Sequence, residues 1–385
     1  MARMDRRTLS AALQARVDRE DLPGVSYTVL HRGEVVAQDC LGWADREARV
    51  PLREDHLCRI YSNTKLATSC AVLQLVERGL LGLDDPVGDS IPALRTLRVL
   101  RPGASSLADT EPAREPVRIK HLLTHTAGFT YGFLDPSLPI AKAYAAAGIG
   151  EAQRTLAQMC EALASLPLLF QPGSAWSYSV STDVVGHVVE VVSGLPLDAY
   201  FRRHLFDPLG LQDTFFFVPE DKAARLVPMY IGDLKNPSQP GLRRGDAKTW
   251  DQDFLHPVPR LMAGGGLVSS LADWTKFVRA LLEGGGPVLQ AESMRHVTQN
   301  QLPAGMWIGF PNLPLQTGRG HSLAASVCVE PGDPASVAGE VQWGGLAGTK
   351  WMFSPSEQLA VVLMTQRYMS SELPFWPEFK ELLRA

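Results

Sequence analysis

Ser62 and Lys65 stand three residues apart in RIYSNTKLATSCAVLQLVERG, where a helical pattern begins. Residues i and i+3 of a helix share a face, so this spacing brings the lysine amine within reach of the serine hydroxyl. A hydroxyl is a poor nucleophile until a neighbour takes its proton. Free lysine titrates near about 10.4, but burial and a helix N-terminus both disfavour its charged form. The same N-terminus presents backbone N–H groups to a developing oxyanion. The pair therefore reads as a nucleophile with its base. A pattern as short as SxxK recurs by chance and needs companions. Tyr178, in QPGSAWSYSVSTDVVGHVVE, stands in a loop before a helix that is apolar at Val184, Val185, Val188, Val189 and Val192. A phenol of pKa about 10 beside an ammonium can shuttle a proton between nucleophile and leaving group. In QWGGLAG, Gln342 to Gly348, paired glycines on a strand allow close approach of another backbone and leave N–H groups free.

These residues need elements to hold them. GVSYTVLHRGEVVAQDCLGWA alternates and reads as a hairpin turning at His31-Arg32-Gly33. Near the other terminus, GEVQWGGLAGTKWMFSPSEQLAVVLMTQ reads as three strands broken at Gly345–Gly348 and Pro355–Glu357, followed by a short helix from Phe375 to Leu383. Between the ends, helical periodicity runs over Leu66–Arg78, Ala152–Ser165, Thr182–Ser193, Leu197–Leu205 and Ala272–Leu282. The expected fold is α/β (α+β): an antiparallel sheet built from both chain ends and flanked by helices, with a mostly helical region inserted. The expected boundaries are 1–61 plus 262–385 for the sheet domain and 62–261 for the insertion, with the site between them. Arg95–Arg118 and Ile231–Arg260, rich in Pro, Gly and charge, read as long irregular segments of the kind that wall or cover a site.

The chain's 385 residues, 45% hydrophobic, suffice for one large or two interlocked domains. A net charge of −4 offers no basic excess for a phosphate backbone, which argues against nucleic acid as a partner. No run of about 18 apolar residues occurs, so no membrane insertion is expected. The N-terminus lacks an apolar run after its early arginines, and Leu9, Leu13 and Val17 mark an ordinary helix face. Five cysteines without ligand spacing read as reduced thiols, and the expected location is cytoplasmic.

Taken together and in order, these motifs resemble the serine β-lactamase and penicillin-binding-protein superfamily, in its class C-like branch and most of all the family VIII carboxylesterases. IKHLLTHTAGF at 119–129, LFDPLGLQDT at 205–214 and MAGGGLVSSLADWTKF at 262–277 extend the resemblance over nearly the whole chain. It implies a β-lactamase-like fold. It also implies that Ser62 is the acylated serine, Lys65 the lysine of SxxK and Tyr178 the tyrosine of the YxN element, with an oxyanion hole from the N–H groups of Ser62 and Leu346. Trp343-Gly344-Gly345 occupies the place of the β-lactamases' KTG. Two departures look like those of esterases: Val180 stands where YxN has asparagine, and Trp343 replaces the lysine that attracts a substrate carboxylate. Gly348-Thr349-Lys350 is KTG in reverse order and is no substitute.

His121 and His125 are four apart, but without the glutamate of HExxH they read as structural, and no metal is expected. Gly264-Gly265-Gly266 lacks GK[ST] and reads as a tight turn near the site, while GxSxG does not occur. Cys58 is a rival nucleophile by position and an inert buried thiol by type. The expected activity is hydrolysis of small to medium carboxylic esters through an acyl-enzyme, without cofactor. Trp343, Gly344, Gly345, Tyr131, Phe133, Trp250 and Phe254 are the candidate substrate-binding residues. A β-lactamase or D-aminopeptidase, an acyltransferase, and a non-catalytic binding or sensing module remain as alternatives. Neither the natural substrate nor the oligomeric state is legible.

Overall fold

The computed structural model describes residues 6–236, 239–245, 253–311, 313–370 and 373–385. Its main sheet has eight strands in the spatial order Arg319–His321, Ser326–Cys328, Val341–Gly344, Lys350–Ser354, Leu359–Thr365, Gly24–His31, Glu34–Asp45 and Val50–Pro51. Every neighbouring pair is antiparallel. The seam between the chain ends is the pairing of Gly24–His31 with Leu359–Thr365, in register from Val25↔Thr365 to His31↔Leu359. Both ends thus build one sheet, as the alternation at each end requires. The hairpin turns on Arg32 and Gly33, both at positive φ (55° and 79°), the two-residue geometry that matches strand twist.

Strand alternation gives the sheet two apolar faces. Val361 and Leu363 face the terminal helices Arg6–Asp18 and Phe375–Arg384, where Leu9, Leu13, Phe375 and Phe379 are buried. Ala360, Val362 and Met364 face the larger core, shared with helix Leu271–Leu282 and the helical region. At the centre of that region helix Thr64–Glu77 is buried over every residue from Thr64 to Leu75, which is why its sequence is apolar all round and not striped.

The remaining expected helices occur as Leu156–Ala164, Ser181–Ser193, Leu197–Phe201 continued by a wider turn Arg202–Phe206, and Leu271–Leu282. Arg95–Arg118, read as irregular, contains a small hairpin pairing Arg98–Leu100 with Thr110–Pro112. Part of Ile231–Arg260 lies outside the described residues, Trp250 with it. Helix Pro139–Ala146 was not anticipated. Among the described residues no single helix is long and apolar enough to cross a membrane.

Candidate active site

Ser62 sits in a 3-10 turn, Tyr61–Asn63, leading directly into helix Thr64–Glu77. The residue before it, Tyr61, has φ 43°, a left-handed conformation that a bulky side chain adopts only under strong tertiary constraint. The constraint is visible. Strand Leu57–Arg59 pairs with Val268–Ser270, and Ile60 N–H donates to the Leu267 carbonyl at 3.0 Å. Leu267 N–H in turn donates to Thr64 Oγ1 at 3.0 Å, and Thr68 Oγ1 donates to the Ala263 carbonyl at 2.7 Å. The glycine run 264–266 is thereby clamped over the first turn of the helix as a tight turn, with the N–H groups of Gly265 and Gly266 both on the Met262 carbonyl.

This clamp positions Lys65. Its Nζ donates to the Gly264 carbonyl at 2.6 Å, to Tyr131 OH at 3.1 Å and to Ser62 Oγ at 3.4 Å. Tyr178 OH donates to the same Ser62 Oγ at 2.6 Å. The ammonium also lies 4.7 Å from the Tyr178 ring centroid and 5.4 Å from that of Tyr131, distances at which a ring face attracts a cation. Ser62, Lys65 and Tyr178, separated by 116 residues in sequence, therefore form one hydrogen-bonded group. Burial holds the Tyr131 hydroxyl well above its usual range, so it stays neutral.

Gly345 explains the paired glycines. A Cβ there would lie 2.3 Å from the Ile60 carbonyl and 2.3 Å from Thr349 Oγ1, so only glycine lets this strand end press against the backbone preceding Ser62. Leu346 follows, and among the described residues its N–H makes no hydrogen bond within the protein. Gly344 faces the other way, beneath the Lys350 side chain, with Lys350 Nζ 2.8 Å from a Cβ placed on it.

Trp343 stands beside Tyr178, its ring 5.4 Å from that of Tyr178 and 5.6 Å from that of His321. His125 packs against Tyr178 at 4.9 Å and against His321 at 5.4 Å, and shares a hydrogen bond with Ser179 Oγ at 3.1 Å. Burial drives both imidazoles towards the neutral form, His321 down to about 4 and His125 well below its usual value. His121 does not join them, accepting from Arg118 N–H at its helix start. Among the described residues no group of three potential ligands could hold a metal. Burial pushes the Cys58 thiol up to about 12, which removes it as a nucleophile near neutral pH.

Of the expected pocket residues, Tyr131 and Phe133 line one cavity, with ring centroids 5.0 Å apart. Phe254 lies elsewhere, packed edge-on against Tyr61 at 6.0 Å in a small core beside the turn that carries Ser62. Residues that sequence reasoning left out of the site are Phe310, whose ring lies 5.6 Å from that of Tyr178, and His321, both brought in only by tertiary approach.

The sequence profile of the Beta-lactamase family matches residues 9–377. The chain belongs to that family. It is 34% identical to Protein Rv1367c of Mycobacterium tuberculosis over 366 residues, covering 92% of this chain and 88% of the relative. To Esterase EstB of Burkholderia gladioli it is 32% identical over 384 residues, covering 94% and 91%. Among solved structures, EstCE1, described as a hydrolase with promiscuous acyltransferase activity, superimposes with a TM-score of 0.84 at 25% identity over 98% of both chains. The fold is thus β-lactamase-like, and the family is one of serine hydrolases with esterases among this chain's relatives.

Proposed function

We propose that this protein is a serine carboxylesterase that hydrolyses small to medium esters through an acyl-enzyme on Ser62. The observation that carries this reading is the convergence of Tyr178 OH at 2.6 Å and Lys65 Nζ at 3.4 Å on one hydroxyl oxygen. Ser62 Oγ attacks the ester carbonyl while its proton passes to Tyr178 or Lys65, whichever is deprotonated. The N–H groups of Ser62 and Leu346 receive the oxyanion, and the proton returns to the leaving alcohol. Water then attacks the acyl-enzyme with the same pair as base, releasing the acid. Val180 and Trp343 favour neutral esters over anionic β-lactams, and likeness to Esterase EstB supports the same choice. Transfer of the acyl group to an alcohol is the second reading, favoured by likeness to EstCE1. Five unpaired thiols, four of them buried, accord with a reducing compartment such as the cytoplasm.

The test is a panel of esters, amides and β-lactams, with mass spectrometry of the trapped acyl-enzyme and product analysis with and without an added alcohol. Ester turnover with label on Ser62, lost in Ser62→Ala, supports the reading. Label on another residue rejects it.

A further inference from the structure

A cavity of about 400 Å³ opens beside strand Leu57–Arg59, which leads into the turn that carries Ser62. None of Ser62, Lys65, Tyr178, Trp343 and Leu346 lines it, so it is separate from the catalytic group. Val50, Leu226, Val227, Pro228 and Leu255 give it apolar walls, and its polar lining is Asp45, His56, Arg59 and Arg244. Its size suits a small molecule.

His56 is the polar group in this lining with an unmet need. It is 6% exposed, and its Nδ1 accepts from Arg53 N–H at 2.9 Å. That contact fixes the tautomer, because a neutral imidazole that accepts at Nδ1 carries its proton on Nε2. Burial, and then the charge of Arg53, lower the pKa of the ring, so the neutral form prevails near pH 7. Nε2 makes no hydrogen bond among the described residues, yet it is not sealed from solvent. A donor in this state is completed by water or by a ligand oxygen. Arg59 is held in place, with Nη1 donating to the Val227 carbonyl at 2.8 Å and the guanidinium 5.3 Å from the Phe254 ring centroid. Arg244 pairs with Asp45 at 3.0 Å, and more than half of its side chain stays exposed. Two guanidinium groups against one carboxylate leave the lining one positive charge in excess.

We propose that this cavity binds a small monocarboxylate with an apolar body. One carboxylate oxygen accepts from His56 Nε2–H, Arg59 and Arg244 match the charge over Asp45, and the body lies on Leu226, Val227 and Leu255. A dianion such as phosphate brings no apolar surface and one charge too many, and an ammonium meets two guanidinium groups. A neutral amide satisfies Nε2 but leaves the excess charge unmatched. Ester cleavage releases acids of this class, but the site stands on its own lining and does not rest on the esterase reading.

Isothermal titration of the wild-type protein with hexanoate, hexanamide, hexylammonium and inorganic phosphate, at constant ionic strength, tests the proposal. Hexanoate is expected to bind at least tenfold more tightly than the other three. Two variants locate the binding, and a cooperative thermal transition shows that each is folded. Ala224→Trp, at the exposed rim, fills the mouth of the cavity and should abolish binding. His56→Asn keeps an acceptor for Arg53 N–H, removes Nε2, and should weaken hexanoate at least fivefold. Hexanoate binding undiminished in either variant places the carboxylate elsewhere, Lys65 included, and overturns the proposal. So does equal affinity for hexanoate and hexanamide, or no binding of hexanoate at all.

Discussion

Tyr131 OH lies 3.1 Å from Lys65 Nζ, and so completes the lysine's coordination together with Gly264 and Ser62. A phenol kept neutral by burial accepts from the amine without competing with it as a base at neutral pH. Its task in the proposed reaction is to aim Lys65.

Tyr131→Phe removes that acceptor and keeps the ring. A hydrogen bond to a charged group contributes about 1.5–3 kcal/mol, so kcat is expected to fall roughly 10- to 100-fold. Steady-state kinetics with a short ester, which does not depend on the cavity wall, should show the loss in kcat and little change in KM. An unchanged kcat would show that Gly264 alone holds the lysine.

Gly345→Ala tests the oxyanion strand. The new methyl would meet the Ile60 carbonyl and Thr349 Oγ1 at 2.3 Å, so the strand end must move away from Ser62 and take Leu346 N–H with it. Misplacing one oxyanion donor costs on the order of 10²–10³ in kcat. Overpacking should also lower stability by about 1–3 kcal/mol, read as a fall in the denaturant midpoint. Full activity in a folded variant would remove Leu346 from the mechanism.

How much of this was legible beforehand follows contact distance along the chain. Ser62 and Lys65 meet through helix geometry alone, one turn apart. The terminal strands announced themselves by alternation, and their pairing follows from two half-sheets that each need a neighbour. Tyr131 was read as a pocket wall because nothing local says that Gly264 will be clamped over Lys65. His125 was read as structural and does pack, but against Tyr178. Phe254 resembled a wall by type, yet packs beneath Tyr61. Helix Pro139–Ala146, only eight residues long, is too short to display two periods, although proline at its first turn was a usable signal.

The imidazole of His321 is 2% exposed, with its pKa pushed down to about 4 by burial while Nδ1 donates to the Ser322 carbonyl at 2.5 Å. Unfolded histidine titrates near about 6.5. Between those values the unfolded chain binds the extra proton, so stability rises with pH there and falls as pH drops from about 6.5 to about 4. Its full contribution is present above about 6.5. Denaturation midpoints across this window should decline in wild type by an amount worth at most a few kcal/mol. His321→Gln should reduce the decline, leaving the part that buried His125 contributes with the same sign, and an equal decline in both proteins would place the acid sensitivity elsewhere.

Trp343 offers the sharpest test of substrate class. Its ring stands 5.4 Å from Tyr178, where a lysine would present charge to a substrate carboxylate. Without that cation, wild type should prefer neutral esters over anionic β-lactams by a wide margin in kcat/KM, since specificity is a difference in transition-state binding. Trp343→Lys should narrow the ratio from both sides, attracting the anion and removing apolar surface from the neutral substrate. The gain is limited by Val180, which supplies no amide contact, and by Lys65, whose charge opposes a second ammonium nearby. Kinetics on one cephalosporin and one neutral ester, measured in both proteins, decide the matter. A wild type that turns over the cephalosporin as efficiently as its best ester rejects the assignment. Equal damage to both substrates in Trp343→Lys would mean that the indole serves to hold Tyr178 and His321 in place, since its ring lies within 6 Å of each.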